Sequence, residues 1–498
     1  MPFRSSNAAA ALLLATFALV PHPLRAAGLD GLLELSVVDS RTEEPLAARV
    51  HLRNSRGRPV RVPGLVQPGG YFVVDGSLEL ELPQGDYSFE MECGPEYKLR
   101  TGNFSIQRGA EDAERVVMER FVDMAGEGWY AGDLDVVHPA ERLDALMRAE
   151  GLRITAGLAW HDLAAETEPI ADSHSTRDHR TSGSLWYFRA GEPISVPAID
   201  AETPSSAELL VQLASDPRVA AVAETPFAGD MPVWLASGRL HGVMLANRHL
   251  LRSGVVDHEA GGMPRDPGLF PEPHGNGRWS VHAYYQMLNA GLRVPPAAGS
   301  GSGENENPVG YNRVYVHCGE EFSPEAWWEG LRAGRVVVTN GPMLRPRANG
   351  ELPGYVFTAE QGEKVELEIE LNLATREKID YLEIIRNGRV EHEVRLDAWA
   401  KAGGRLPPVT FEESGWLLVR AVTNNTSTYR YATSGPFYVE IGYEPRISRS
   451  AAQFFLDVTY RRARELRLPE GEERARVLLF HRAARDFWQR RVDAANAE

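Results

Sequence analysis

The sequence predicts a mixed α/β protein whose middle region is a parallel α/β sheet or barrel flanked by two β-sandwich domains. Residues 33–119 alternate apolar and polar positions in short runs separated by turn residues, which is typical of a small sandwich. Residues 122–342 alternate short apolar strands with helical patterns, as parallel α/β sheets and barrels do. One helix is expected at 323–331, with Ser323 as its cap and Pro324 at its first position. After Pro342 the strand-like alternation returns, with an Asn-Gly pair at 387–388 that predicts a hairpin turn, so we expect a second sandwich there.

The amino terminus has the layout of a secretory signal peptide. Arg4 precedes an apolar run at residues 8–20, and Ala26 and Ala27 supply small residues where the peptide would be cleaved. We therefore expect residues 1–27 to be removed and the mature chain to be periplasmic or secreted. The other expected boundaries are 28–121 for the first sandwich, 122–342 for the barrel, 343–445 for the second sandwich and 446–498 for C-terminal helices. The arginines of these helices are expected on a solvated outer face.

The composition limits the classes of partner. The chain of 498 residues carries a formal net charge of −16 and shows no basic stripe, so nucleic acid is not an expected partner. Beyond the amino-terminal run, no segment is long and apolar enough to predict a membrane span in the mature chain. The sequence leaves the oligomeric state open.

Acidic and imidazole side chains collect where the expected strands of the middle region end. Asp135 and His138 come at the end of one strand, immediately before a helix, and His161 ends the next strand. Glu224 and His249 follow two further apolar strands. Because the carboxyl ends of neighbouring strands meet in α/β barrels, we expect one cleft to contain Asp135, His161, Glu224 and His249.

Each of these residues also has a structural interpretation. Asp135 would serve equally as an acceptor for a backbone turn, and His138 as a surface histidine at a helix start. His161 fits an ordinary strand-to-loop turn. Side chains alternate along a strand, so positions 135 and 137 share a face and His138 points away unless a one-residue bulge turns it back.

Two other sets of residues are interpreted first as structural. Glu304 and Glu306 lie in a Gly/Asn-rich segment, where solvated charge is the default. Trp234, Trp327 and Trp328 could stack on sugars, but their helical setting favours packing in the core.

Longer strings in the middle region resemble a known family. They are Gly-Trp-Tyr-Ala-Gly-Asp-Leu at 128–134, Tyr-Tyr-Gln-Met-Leu-Asn-Ala-Gly-Leu-Arg at 284–293, Asn-Pro-Val-Gly-Tyr-Asn-Arg-Val-Tyr-Val at 307–316, Trp-Trp-Glu-Gly-Leu-Arg-Ala-Gly at 327–334 and Thr-Asn-Gly-Pro at 339–342. In these strings the chain resembles the CehA/McbA branch of the PHP-fold metallohydrolases. The resemblance implies a distorted β/α barrel with a metal site at the strand ends that hydrolyses ester, carbamate or phosphoester-like bonds.

The chain departs from that family at two ligand motifs. Where the family has two histidines, this sequence has Asp135 and Val137. Where a Gly-Ser-Asp-x-His ending would fall, it has Gly-Ser-Gly-Ser-Gly at 299–303, so glycine stands at both expected ligand positions, Gly301 and Gly303. Valine and glycine side chains offer no donor atom, whereas Asp135 remains a competent oxygen ligand for zinc or manganese.

Two classes of function follow from these observations. In the first, the chain is an exported hydrolase whose divalent metal, zinc or manganese, is held by ligands drawn from Asp135, His138, His161, Glu224 and His249. In the second, the eroded barrel is a catalytically inactive secreted binding protein that uses the same cleft for a ligand such as a glycan. The expected partner is therefore a small-molecule substrate or a glycan.

Overall fold

The computed structural model describes residues 30–62, 65, 70–156, 174–180, 182–190, 205–213, 215–259, 262–466 and 470–498. The signal peptide expected at residues 1–27 and the candidate ligand His161 lie outside these ranges. Within them the chain has the mixed α/β character expected from the sequence, with strands arranged in several sheets.

Seven strands form the N-terminal region: β1 (Asp30–Asp39), β2 (Ala47–Asn54), β3 (Phe72–Asp75), β4 (Ser77–Pro83), β5 (Gly85–Glu92), β6 (Arg100–Ile106) and β7 (Glu111–Met118). They make a three-stranded sheet in the order β4-β1-β7 and a four-stranded sheet in the order β3-β2-β5-β6. Leu35, Val50 and Leu80, which come from both sheets, share one buried cluster. The alternating sequence thus turns one face of each strand toward a common core, which is the arrangement of a β-sandwich.

The middle region alternates strands and helices. Its elements are β8 (Trp129–Asp133), α1 (Ala140–Glu150), β9 (Leu152–Thr155), β10 (His174–Arg180), β11 (Gly183–Ala190), α2 (Ala207–Leu213), β12 (Ala220–Ala223), α3 (Met231–Ser237), β13 (Gly242–Ala246), α4 (Gly275–Asn289), β14 (Pro296–Ala298), β15 (Arg313–His317), α5 (Pro324–Arg332) and β16 (Val336–Thr339). Helix α5 has the local features that predict a helix from sequence. The Ser323 hydroxyl accepts from the Ala326 N–H at 3.1 Å, Pro324 suits the first turn, and Trp327 is buried beneath the helix.

Parallel pairing joins the strand ends that matter for the site. Strands β12, β13 and β14 are parallel neighbours in a five-stranded sheet with the order β10-β11-β12-β13-β14. Residues 134–137 extend β8 and run parallel to residues 298–302, because the Leu134 N–H donates to the Ala298 carbonyl at 3.0 Å and the Val137 N–H donates to that of Ser302 at 2.8 Å. The carboxyl ends of β12, β13 and β14 and the extension of β8 therefore lie side by side.

The C-terminal region is again rich in strands. Its elements are β17 (Met343–Ala348), β18 (Val356–Ala359), β19 (Val365–Ala374), β20 (Ile379–Arg386), β21 (Arg389–Arg395), α6 (Leu396–Lys401), β22 (Arg405–Phe411), β23 (Gly415–Thr423), β24 (Tyr431–Ser434), β25 (Phe437–Ile441), α7 (Arg449–Glu465) and α8 (Glu472–Asp493). The Asn-Gly pair predicted to turn a hairpin does so between β20 and β21, with φ of 48° at Asn387 and 83° at Gly388.

One ten-stranded sheet joins the middle and C-terminal regions. Its path runs β18-β25-β23-β24-β16-β15-β8-β9, and β20 pairs with β23 and carries β21. Strands β16 and β24 are antiparallel, with Val337 opposite Ser434 and Thr339 opposite Ala432. The boundary expected at residue 342 therefore falls inside a continuous hydrogen-bonded sheet. A separate three-stranded sheet, β17-β19-β22, shares a buried cluster with it.

The two C-terminal helices pack on the middle region. Phe455 of α7 stacks on Trp488 of α8 with ring centroids 4.7 Å apart, and the Trp488 indole N–H donates to the Pro232 carbonyl at 2.9 Å. Their arginines are not all on a solvated face as the sequence suggested, since Arg462 pairs with the fully buried Asp230 at 2.8 Å. Within the described ranges, no helix combines the length and apolar content needed to cross a membrane.

Candidate functional site

The carboxyl ends of the parallel strands bring two of the candidate residues together. Glu224 directly follows β12, and Asp135 lies on the extension of β8. Between their carboxylates sits the guanidinium of Arg248, the second residue after β13. Of the four residues expected in one cleft, Asp135 and Glu224 thus lie close together, with an arginine side chain between them.

Arg248 holds Asp135 in a two-pronged ion pair. Its Nε donates to Oδ2 of Asp135 and its Nη2 donates to Oδ1, both at 2.9 Å. The same Nε lies 3.1 Å from Oε1 of Glu224, and Nη1 donates to Oε2 of Glu304 at 2.7 Å. A planar guanidinium matches a carboxylate edge to edge, so this is the strongest form of the pairing. Asp135 is fully buried, and its charge is therefore balanced inside the protein.

A second arginine completes the set. Arg177 on β10 donates from Nε to Oε2 of Glu224 at 2.7 Å and from Nη1 to Oε2 of Glu304 at 2.9 Å. We call Asp135, Arg177, Glu224, Arg248 and Glu304 the ion-pair cluster. Glu304, which the sequence suggested was a solvated charge, is 41% exposed but bridges both guanidiniums.

Three carboxylates share two guanidiniums in the ion-pair cluster, and burial opposes the charge of each member whose pKa is shifted. Burial, reinforced by the charge of Asp135, raises the pKa of Glu224 above its usual range. Burial acts against charge on Glu304 as well, but hydrogen bonds from Arg248 and the charge of Arg177 hold its pKa below the usual range. Burial also opposes charge on Arg248, yet the hydrogen bonds and charge of Asp135 raise its pKa. Arg248 is thus firmly cationic, whereas the surroundings of Glu224 favour its protonated form.

The candidate histidines make other contacts. His138 pairs through Nε2 with the Ser302 hydroxyl at 3.0 Å, so the end of the strand turns its ring toward the loop after β14. His249 approaches the Asn247 side-chain oxygen at 3.2 Å through Nδ1 and packs edge-on against Phe227 with ring centroids 5.3 Å apart. The strand ends therefore unite Asp135 and Glu224, while His138 and His249 are held by neighbouring loops.

His249 should make the folded protein sensitive to acid. Burial, with further contributions from His258 and Arg248, lowers the pKa of His249 to about 3. The unfolded chain binds a proton on this residue near its ordinary pKa of about 6.5, but the folded chain does not, so stability is lost as the pH falls below that value. We expect this residue to contribute a slope of about 1.4 kcal/mol per pH unit to the free energy of unfolding.

Urea denaturation at about pH 7 and about pH 5 measures this effect as the difference in slope between the native chain and His249→Phe. The phenylalanine variant should lose less stability on acidification, because it has no site to protonate in the unfolded state. Equal losses in the two proteins would contradict the prediction.

The described residues do not fit the divalent metal implied by the resemblance. Zinc needs several nitrogen, sulfur or oxygen ligands converging on one point, and at Asp135 and Glu224 that point is filled by the Arg248 guanidinium. Val137, where the resemblance implies a ligand, offers no donor atom. A cation already paired with both carboxylates would have to be displaced before a metal could use them.

The loop requires glycine at positions 301 and 303, where the resemblance implies metal ligands. A Cβ at Gly303 would lie 1.9 Å from the Val137 carbonyl oxygen, and one at Gly301 would lie 2.6 Å from Nδ2 of Asn305. Both residues have positive φ, +66° at Gly301 and +96° at Gly303, where side chains are strained. Ligand-bearing residues could stand there only if the backbone moved.

One close group of potential ligands does occur in the part of the chain that the structure describes, but in the N-terminal sandwich. Donor atoms of His51, Glu90 and Glu92 lie within 4.8 Å of one another. Glu92 already pairs with Arg49 and Arg252, each at 2.9 Å. Burial and these arginines lower the pKa of His51 to about 4, so the surroundings disfavour a further cation.

Sequence reasoning missed a buried acid that organises the site. Asp133, at the end of β8, accepts backbone N–H groups from Asp135 at 3.2 Å, Ser300 at 2.9 Å and Gly310 at 2.7 Å. Burial raises its pKa to about 7, although these donors act to lower it. Asp133 thus ties the loops after β14 to β8. Asp133 ends a strand that is buried throughout, and an acid in such a strand is expected to accept hydrogen bonds from the backbone.

Asparagine side chains fix the backbone that carries Arg248. Nδ2 of Asn305 donates to the carbonyls of Arg248 at 3.2 Å and Ser300 at 2.9 Å, and Nδ2 of Asn312 donates to that of Asn247 at 2.9 Å. The loops after β13 and β14 are therefore cross-linked by side-chain amides. Trp234, Trp327 and Trp328 are buried in the core, as expected, and present no stacking surface for a sugar.

Comparison with known proteins adds little to this geometry. No family model matches the chain, and no curated protein matches it. Among solved structures, the Bacillus anthracis TIE protein is 21% identical over 22% of this chain and 20% of its own, with a TM-score of 0.16. The Bacillus cereus major pilin subunit BcpA is 18% identical over 18% of this chain and 29% of its own, with a TM-score of 0.15. The chain thus spans under a third of either protein.

A longer but weaker similarity involves a glycoside hydrolase. The Parabacteroides merdae β-glucuronidase is 9% identical, with 79% of this chain and 61% of that one covered, and its TM-score is 0.17. Scores this low do not indicate a shared overall fold.

Proposed function

We propose that this chain is an exported, catalytically inactive binding protein of PHP-like descent, in which a guanidinium stands where the related hydrolases hold a metal. The observation that supports this is the bonding of Arg248 to Asp135 and Glu224 at the strand ends. Export is supported by the signal-peptide pattern of residues 1–27.

The guanidinium supplies what the buried acids need. Ionised carboxylates in an interior are stable only if a cation and hydrogen bonds compensate for their lost hydration. Arg248 provides both to Asp135, and Arg177 helps to provide them to Glu224. An arginine cannot, however, deliver the activated water or the open coordination position on which metal-dependent hydrolysis depends. The ion-pair cluster therefore stabilises the buried carboxylates but supplies no activated water for hydrolysis.

The exported metal-dependent hydrolase remains the competing proposal. It would require Arg248 to leave the carboxylates and ligands to come from elsewhere in the chain. The two proposals differ in a measurable quantity, the metal bound per chain.

Metal analysis of the mature chain, residues 28–498, tests the proposal. After incubation with zinc or manganese and dialysis, we expect far less than one equivalent of metal by mass spectrometry and no hydrolysis of an activated aryl ester above that of Glu224→Ala. The matched control is Glu325→Ala, which removes a carboxylate that is 71% exposed. One equivalent of metal in the native chain and in the control, lost together with turnover in Glu224→Ala, would establish the hydrolase instead.

A further inference from the structure

A large cleft opens where the N-terminal sandwich, the middle region and the C-terminal sheets meet. It has a volume of about 630 Å³, within the range of small-molecule sites, and it shares no residue with the ion-pair cluster. Six cationic and four acidic side chains line it, so the lining is positive although the chain as a whole carries −16. Such a local reversal of sign concentrates anions.

The deepest charges of the cleft are already neutralised. Arg49 pairs with Glu92 at 2.9 Å and with Glu150 at 3.0 Å, and Arg313 pairs with Glu150 at 3.1 Å. Arg49, Arg313 and Glu150 are buried and fixed by these bonds. The remaining arginines of the lining are more accessible, with side chains 40% exposed at Arg252, 27% at Arg376 and 26% at Arg430.

Arg376 is the cation that is least compensated. It lies on the turn between β19 and β20, donates from Nη2 to the Gly94 carbonyl, and stands 3.7 Å from Glu92 through Nη1. Burial lowers the pKa of Arg376 by more than the charges of Glu92 and Glu150 raise it, and the nearby Arg313 and Arg430 act in the same direction as burial. An incoming anion would relieve that unfavourable environment.

Two further arginines flank Arg376. Arg252 donates from Nη2 to Oε1 of Glu92 at 2.9 Å, so Arg252 and Arg376 lie at the two oxygens of one carboxylate. Arg430 pairs through Nη1 with Glu377 at 2.8 Å. Its Cζ lies 5.6 Å from the centroid of the Tyr311 ring. Guanidiniums from three separate segments of the chain therefore converge on one opening.

We propose that this cleft binds a small organic acid through Arg252, Arg376 and Arg430. The guanidinium groups match carboxylate geometry, and the volume exceeds what a bare inorganic ion would fill. The site is independent of whether the strand ends of the middle region are catalytic, because no residue is common to both.

Isothermal titration calorimetry with digalacturonate at low ionic strength tests the proposal. We expect one site per chain, affinity that falls as salt is added, and no binding of the dimethyl ester, which keeps the size but not the charge. Arg376→Gln should weaken binding at least about tenfold, and Arg376→Lys should weaken it less, because it keeps the charge but loses the planar fork.

The matched control is Lys364→Gln, which removes one positive charge just before the opposite end of β19, where the side chain is 64% exposed. This control should bind as the native chain does. Circular dichroism establishes that each variant is folded, and if Arg376→Gln does not fold, Arg376→Lys decides the question. Absence of binding, equal binding by the ester, or unchanged affinity in a folded Arg376 variant would overturn the proposal. Equally tight competition by inorganic phosphate would show a bare-anion site and would also overturn it.

Discussion

Replacing Arg248 with methionine should lower the free energy of unfolding by about 3–5 kcal/mol, the cost of removing one partner from a buried ion pair. Methionine keeps most of the apolar stem but leaves Asp135, which is fully buried, without its two-pronged partner. Arg177 reaches Glu224 and Glu304 and so cannot replace the lost contact to Asp135. Urea denaturation followed by circular dichroism measures the change.

Two variants control this experiment. Arg218→Met breaks an exposed pair with Asp216 and should leave the urea midpoint nearly unchanged. Asp135→Asn combined with Arg248→Met removes the uncompensated charge and should recover part of the lost stability. If Arg248→Met were as stable as Arg218→Met, Arg248 would not stabilise the fold by compensating the buried charge of Asp135.

Gly303→Ala should destabilise the fold by at least about 2 kcal/mol, because it combines left-handed strain with a collision. The new Cβ would lie 1.9 Å from the Val137 carbonyl oxygen, which itself belongs to the strand extension carrying Asp135. Thermal and urea denaturation measure the loss, which should also appear as reduced protection of the residues 134–137 in hydrogen exchange.

Gly109→Ala separates the two contributions. Gly109 has φ of +64° but no atom within 4 Å of its would-be Cβ, so this variant has the backbone strain without the collision. We expect it to cost about 1 kcal/mol. Equal costs at the two positions would mean that the loop after β14 yields easily, and that a ligand-bearing side chain at position 303 is sterically possible after all.

The sequence predicted those parts of the fold that depend on local patterns. Helix α5 is found where a serine cap and Pro324 indicated it, and the β20–β21 hairpin turns at its Asn-Gly pair. The ten-stranded sheet could not be predicted in this way, because the pairing of β16 with β24 joins segments far apart in the chain. Periodicity identifies strands but does not say which of them become neighbours.

The candidate site, too, depends on contacts between segments that are far apart in the sequence. Asp135 and Glu224 were candidates because both follow apolar strands, and the structure places their carboxylates on one guanidinium. The role of Arg248 depends on a long side chain that reaches a carboxylate 113 residues away in sequence, and no local pattern encodes that. Glu304 was assigned to solvent for the same reason. His161 lies outside the described residues, so its expected place in the cleft stays a prediction.

The ten-stranded sheet also determines how the cleft can behave. Asn340, just past β16, accepts through Oδ1 from the Tyr431 N–H at 2.9 Å, and its carbonyl accepts from Nε of Arg430 at 2.9 Å. Asn340 and Arg430 flank adjacent strands of one sheet, so these bonds make their side of the cleft a single rigid wall. Arg430 is therefore held in place before any ligand arrives and should lose little conformational freedom on binding.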